Sequence, residues 1–423
     1  MRRLAAGLLL VGCASGMTAP PTPDASPTHG ADGGSSPGRA RITINDATPG
    51  GHSWKGLAFQ DGDGPWQPVA GAGPAYTFEV ASGRYGVAFV CASAGVTPGG
   101  EVVQATVAEL PSLDVFCAQP APTTFRRLSG KIAGVPAGTR VWLQVAGGFA
   151  PLESPVTAYS VMTPPGTFDL GLFASAQGRA TQALLRRDLV IGGDTVADLD
   201  FATEGVTLVR QPVHLTGGPA GQAEWGASTS LITARDSFVW GDDDVSGAPQ
   251  SYTALPATAL RPQESQQVEL GVTEGALNAQ STRGIIHSFR APVPLDVALP
   301  AAFTSPQVSL AATAPTWRPR VTFQPYPGAL YYQLVSLQDL QGVPVTWLAI
   351  FSAAWLGDRT SYELPDWSGV PGFQFGLEPT GLVGETDAVL STRSFSRTLH
   401  DDAATRDGAE LKYARQSFVI SPP

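Results

Sequence analysis

Short runs of alternating polar and apolar residues, cut at close intervals by glycine and proline, constrain this chain more than any other feature. Arg41-Ile42-Thr43-Ile44, Tyr76-Thr77-Phe78-Glu79-Val80, Arg140-Val141-Trp142-Leu143-Gln144-Val145 and Ser230-Leu231-Ile232-Thr233-Ala234 all have period two. They are rich in β-branched and aromatic residues, which suit a pleated, half-buried surface. The 48 Gly and 37 Pro in 423 residues supply the turns that many short strands need. No helical period is sustained over three turns. Thr181 to Leu189 is the best short helix candidate, and its neighbours argue for strand. The expected fold is all-β: several antiparallel β-sandwich domains in tandem.

The N-terminal residues bear on compartment. Met1-Arg2-Arg3 is a short positive segment, and Leu4 to Val11 is apolar. That stretch is well short of the ~20 apolar residues needed to span a bilayer, and has the length of a secretory signal's apolar region. It ends in Leu10-Val11-Gly12-Cys13, which resembles the signal of bacterial lipoproteins. The resemblance implies cleavage after residue 12 and acylation, by palmitate-type chains, of Cys13. It also implies a cell-envelope protein held to a membrane by lipid, with Ser15 rather than Asp after the cysteine favouring the outer membrane or cell surface over other periplasmic placements. Several acyl chains anchor stably, since each buried CH₂ contributes about 0.8 kcal/mol. Residues 13–39 are Pro, Ser, Gly, Thr and Ala with almost nothing to bury. They read as a disordered tether with a reach of roughly 25–30 Å.

Without Cys13 the chain has an even pair, Cys91 and Cys117, each closing a strand-like run. In an oxidising compartment a disulfide is expected, closing about 27 residues and stabilising by roughly 3–4 kcal/mol; two buried thiols are the other reading.

The mature chain divides into 40–123, a sandwich with the disulfide, 124–205, 206–304 and 305–423. Gly130-Lys131-Ile132-Ala133-Gly134-Val135 through Arg140-Val141, with Pro165-Gly166-Thr167-Phe168-Asp169-Leu170, is similar to the prealbumin-like sandwich of carboxypeptidase-regulatory type. In the last segment, Val321-Thr322-Phe323 leads through Pro327-Gly328-Ala329 into Tyr331-Tyr332-Gln333-Leu334, with Ser361-Tyr362-Glu363-Leu364 further on. This resembles a fibronectin type III or immunoglobulin-like domain. It departs from that family at Phe323, where the family has Trp, and at Phe373, where it has the corner tyrosine. A faint internal echo links Ala183–Arg187 and Leu199-Asp200-Phe201 with Gly284–His287 and Leu295-Asp296-Val297.

Chemistry is sparse. No Gly-x-Ser-x-Gly elbow, His-Glu-x-x-His helix or phosphate loop occurs, and His29, His52, His214, His287 and His400 are scattered. The formal charge of −10, without a basic cluster, argues against nucleic acid. Asp242, Asp244 and Ser246 alternate before Gly247, as hard oxygen ligands do at the start of a calcium loop. Thr253 replaces the bidentate Glu at the twelfth position, so an acidic hairpin turn is the competing reading. Trp66, Trp240, Trp355 and Trp367 lie beside turns and are candidate stacking platforms for a ligand, with core packing as the alternative. The expected function is a non-enzymatic structural or ligand-binding envelope lipoprotein, its partner a glycan or an envelope protein. The alternative is a secreted hydrolase or hydrolase accessory acting on an envelope or extracellular polymer.

Overall fold

The computed structural model describes residues 40–46, 54–69, 75–91, 99–115, 117, 123–153, 155–221, 223–241, 247–276, 280–303, 306–312, 318–340, 343–367, 369–373, 386–394 and 407–420. The protein is all-β, its described residues forming mostly antiparallel sheets with two four-residue helices. Cys13, Asp242, Asp244 and Ser246 lie outside the described residues.

The first unit comprises β1 (Ala40–Asp46), β2 (Trp54–Asp61), β3 (Gln67–Pro68), β4 (Ala75–Val80), β5 (Arg84–Cys91), β6 (Gly99–Thr106) and β7 (Ser112–Val115). Alternation along β1 sends Ile42 and Ile44 inward, where they meet Phe78, Val80 and Leu113 from one sheet and Tyr85, Val87 and Val103 from the other. The Tyr85 hydroxyl satisfies itself in that core by donating to the Leu110 carbonyl at 2.6 Å, and burial raises its pKa far above the usual tyrosine range. Cys91 and Cys117 are joined in a disulfide with Cα atoms 5.4 Å apart. It ties β5 to the chain just past β7.

The second unit contains β8 (Arg126–Ala133), β9 (Arg140–Val145), β10 (Gly148–Leu152), β11 (Ala158–Thr163), β12 (Gly166–Ala176) and β13 (Arg179–Ile191). It closes with β14 (Thr195–Val196), β15 (Leu199–Asp200), α1 (Phe201–Glu204) and β16 (Val206–Thr207). The segment Thr181 to Leu189 is strand, half of the long β12–β13 hairpin. The third unit contains β17 (Val209–Thr216), β18 (Glu224–Ile232), β19 (Ser237–Gly241), β20 (Ser251–Ala254), β21 (Ser265–Glu274), β22 (Ser281–Phe289) and β23 (Leu295–Ala298).

These three units share one wiring. In each, the first strand is flanked by an antiparallel neighbour and by a parallel late strand: β4-β1-β7, β11-β8-β14 and β20-β17-β23. In each, the facing sheet has the same order: β3-β2-β5-β6, β10-β9-β12-β13 and β19-β18-β21-β22. The sequence echo falls on equivalent strands, β13 with β22 and β15 with β23, so it reflects a repeated topology.

The last unit differs. It has β24 (Gln307–Ala312), β25 (Arg318–Thr322), β26 (Tyr331–Leu340), β27 (Val343–Ser352), α2 (Ala353–Leu356), β28 (Ser361–Glu363), β29 (Thr386–Ser394) and β30 (Glu410–Ile420). Three strands, β24-β25-β28, face four, β30-β29-β26-β27. Gly328, at φ 75°, makes the turn before β26, and the core closes on Tyr332, Phe351 and Tyr362.

The units are not beads joined only by linkers. β27 pairs in parallel with β6, and β22 pairs antiparallel with β30. The fourth unit thereby knits the first and third into one 12-stranded sheet, from β19 at one edge to β3 at the other. β5 is buried on both faces for this reason: Val87 and Phe89 belong to the first unit's core, Ala88 and Val90 to the fourth unit's.

Candidate functional site

A recess lined by side chains from more than one unit lies between the second unit and the outer face of the third. Alternation builds its floor. Along β18, Ala227 and Leu231 point into the core, while Glu224, Gly226, Ser228 and Ser230 point outward. Along β21, Val268, Leu270 and Val272 are core, leaving Glu269, Gly271 and Thr273 on the same outer face. Cross-strand register then aligns Gly226 with Gly271, Gly271 with Gly284, and Gly284 with Tyr413. Three glycines in a row across neighbouring strands leave a trough perpendicular to the strands, because none raises a side chain. At ~4.8 Å per strand the row extends about 10 Å.

Tyr413 fills one end of the row. A Cβ on Gly284 would stand 2.5 Å from its hydroxyl oxygen, and one on Gly271 would stand 3.1 Å from it, so the phenol lies flat across both glycines. From there it donates to Glu269 Oε1 at 2.5 Å, which fixes the carboxylate at the rim. At Gly226 nothing comes within 4 Å of a Cβ, and that end is open. Thr273 and Thr282 exchange a hydrogen bond of 3.0 Å beside the row, and Arg415 stands in register with Thr282.

The second unit supplies the facing wall. Strand β9 sends Val141, Leu143 and Val145 into its own core, so Trp142 and Gln144 point outward. A two-residue loop, Ala146 and Gly147 with φ 51° and 72°, returns the chain into β10 and places Phe149 beside Trp142. The two rings stack with centroids 5.0 Å apart, and Phe149 is 60% exposed. The recess so enclosed measures about 620 Å³, within the usual range for ligand pockets.

The two walls are held in fixed relation. Gln144 donates to the Val239 carbonyl at 2.5 Å and accepts from the Val239 N–H at 2.9 Å, so it caps the exposed edge of β19. Phe173 stacks on Trp240 at 4.9 Å in a small core shared by both units. Arg187 clasps Glu264 through two contacts of 2.5 and 2.7 Å, with the Glu264 side chain only 3% exposed. Asp188 receives Arg235 at 2.7 Å and Arg261 at 2.5 Å, which hold its carboxyl below the usual range. Asp236 accepts the Asp169 N–H at 2.8 Å, and burial pushes its pKa up to about 6.

Of the tryptophans singled out from sequence, Trp240 borders this recess and the other three lie elsewhere. Trp240 is 5% exposed, in the joint between the second and third units, its indole N–H donating to the Thr253 carbonyl at 3.1 Å. Trp367, 4% exposed, stacks on Trp347 at 5.6 Å and on Phe373 at 4.8 Å. Trp355 is 5% exposed beneath the Arg359 guanidinium, which sits 4.0 Å above its ring. Trp66 is partly buried against Trp367. Trp66 and Trp355 border a second, more open recess of about 480 Å³ between the first and fourth units, shared with Asp63 and Asp366. Among the described residues no three His, Cys, Asp or Glu converge as metal ligands, and no helix is long and apolar enough to cross a membrane.

Trp142 was legible in principle, since its inward neighbours dictate an outward ring. The glycine row was not, because it exists only across paired strands.

The fold and trough together define the class, an all-β protein of several sandwiches with a groove where two of them meet. No protein-family model and no curated relative matches the chain. Among solved structures it is similar to a calcium-stabilised adhesin with which an Antarctic bacterium reaches out and binds ice. Identity there is 12% over 90% of this chain and 98% of that one, with a TM-score of 0.17. A DUF3823 family protein from Bacteroides ovatus matches at 15% identity over 35% of this chain and 90% of that one, TM-score 0.14. The Bacillus anthracis TIE protein matches at 8% over 62% and 50%, TM-score 0.16. Scores this low carry no functional argument.

Proposed function

We propose that this chain is an exported lipoprotein, anchored through Cys13, whose joined β-sandwiches form a non-enzymatic ligand-binding stalk in the cell envelope. The observation that carries the binding half is the trough itself, built jointly by two units whose relation is locked by the Arg187–Glu264 clasp. The compartment half is supported by the Cys91–Cys117 bridge, which persists in oxidising surroundings, and by the Leu10-Val11-Gly12-Cys13 signal.

The test is metabolic labelling of the full-length chain with an alkyne-tagged palmitate, followed by membrane fractionation. The expected result is a labelled membrane-bound protein that Cys13→Ala converts to an unlabelled form. Equal fractionation of both chains without label would overturn the anchor.

A further inference from the structure

We infer that the trough between the second and third units binds a neutral glycan chain, seated over the open Gly226 end of the glycine row beside the Tyr413 ring and stacked against Trp142 and Phe149. This rests on the binding half of the proposed function and not on the lipid anchor.

The composition of the walls selects the ligand class. A sugar ring has an apolar C–H face and an equatorial belt of hydroxyls. It therefore needs an aromatic surface beside paired donors and acceptors. Here Trp142 and Phe149 form the aromatic surface, with ring planes 23° apart. Glu269, pre-oriented by the Tyr413 hydroxyl, offers acceptor oxygens, while Ser228 and Arg415 add donors along the same recess. The Gly226 end of the row admits a flat ligand close to the sheet, because no Cβ stands in its way there, and the Tyr413 ring over Gly271 and Gly284 closes the other end.

The other ligand classes fit poorly. A lipid tail would desolvate Glu224, Glu269 and Arg415 and offer none of them a hydrogen bond, which is costly for charged groups. A polyanion would meet two carboxylates and one guanidinium along the recess. A peptide adding as a strand needs free backbone groups at a sheet edge. At β19 the Gln144 amide already occupies both the N–H and the carbonyl of Val239. A neutral polyhydroxylated chain satisfies the walls without any of these penalties.

The same geometry supplies a clean blocking variant. Gly226 lies in a strand without positive φ and with no atom within 4 Å of a Cβ, so Gly226→Trp fills the trough while leaving the fold intact. The full-length exported protein, purified from membranes in detergent, is titrated by calorimetry with six neutral hexasaccharides. These are β-1,4-glucan, α-1,4-glucan, β-1,4-mannan, β-1,4-xylan, β-1,4-linked N-acetylglucosamine and β-1,3-glucan. At least one is expected to bind and to quench tryptophan fluorescence. Gly226→Trp is expected to abolish that binding, with its melting midpoint and circular dichroism kept. Trp142→Ala should weaken binding about tenfold, the equivalent of ~1.4 kcal/mol for a lost ring stack. Glu269→Gln, which keeps the shape and removes the charged acceptor, should weaken binding at least fivefold. The inference is overturned if no hexasaccharide binds the unmodified protein at millimolar concentration. It is equally overturned if binding survives both Gly226→Trp and Trp142→Ala, since the sugar would then sit elsewhere. Palmitate labelling reads out the anchor separately, so failure here leaves that result untouched.

Discussion

Removing the Cys91–Cys117 bridge should loosen the first unit while leaving the second as it is. The bridge joins the end of β5, inside the 12-stranded sheet, to the residue two beyond β7, in the small covering sheet, across a sequence separation of 26. Treating the bridge as closing a loop of about 27 residues, the chain-entropy relation gives about 12 cal/mol/K, or ~3.5 kcal/mol at 25 °C. A unit of this size has a urea m-value of ~1 kcal/mol/M, so the transition of the first unit should move down by roughly 3.5 M. The variant is Cys91→Ala/Cys117→Ala, which places no new polar group against Cys117, itself 3% exposed. The assay is hydrogen exchange with mass spectrometry at increasing urea, comparing peptides from Arg84–Cys91 with peptides from Gly166–Ala176. Protection of the first set should collapse at lower urea, and protection of the second should hold. A shift below about 0.5 M in the first set would refute the loop-closure reasoning. It would mean that the parallel pairing of β6 with β27 already confines the unfolded unit.

Two further perturbations address the joint that frames the trough. Arg187→Met strands the nearly buried Glu264, which keeps the Arg261 N–H at 2.8 Å but no countercharge from Arg187. A loss of about 3–5 kcal/mol is expected by calorimetry, and Arg187→Met/Glu264→Leu should recover most of it. Asp236 has a folded-state pKa raised by burial from 3.8 to about 6, so the folded joint takes up a proton more readily than the unfolded chain. Its contribution is fully present below pH 3.8 and is lost as pH rises through about 6. The difference in melting midpoint between the unmodified protein and Asp236→Asn should therefore vary across that window and be flat above pH 7; a constant difference from pH 4 to 7 would contradict it.

Much of the fold follows from local rules that a sequence exposes. Period-two runs became strands, Tyr332 and Tyr362 became core, and the even cysteine pair became a bridge. Alternation in β9 alone turns Trp142 away from Val141, Leu143 and Val145. The four tryptophans beside turns were legible only in part: Trp66, Trp240 and Trp355 do line recesses, but what covers each ring was not readable from the sequence. Proximity to a turn in sequence says nothing of what packs over a ring: Trp240 and Trp367 are covered by partners distant in the chain, and Trp355 by Tyr362 on β28 and by Arg359 four residues on.

By itself, the order of amino acids determined what each strand buries and where the chain turns, because both depend on residues a few positions apart. Tertiary structure alone decided which strands lie side by side. The joining of β6 to β27 and of β22 to β30 is made by backbone N–H and carbonyl groups, which every residue carries and no motif announces. The trough has the same origin. Gly226, Gly271 and Gly284 are unremarkable within their own strands, and only cross-strand register, set by the packing of the whole third unit, brings them into one line, with Tyr413 over the last two.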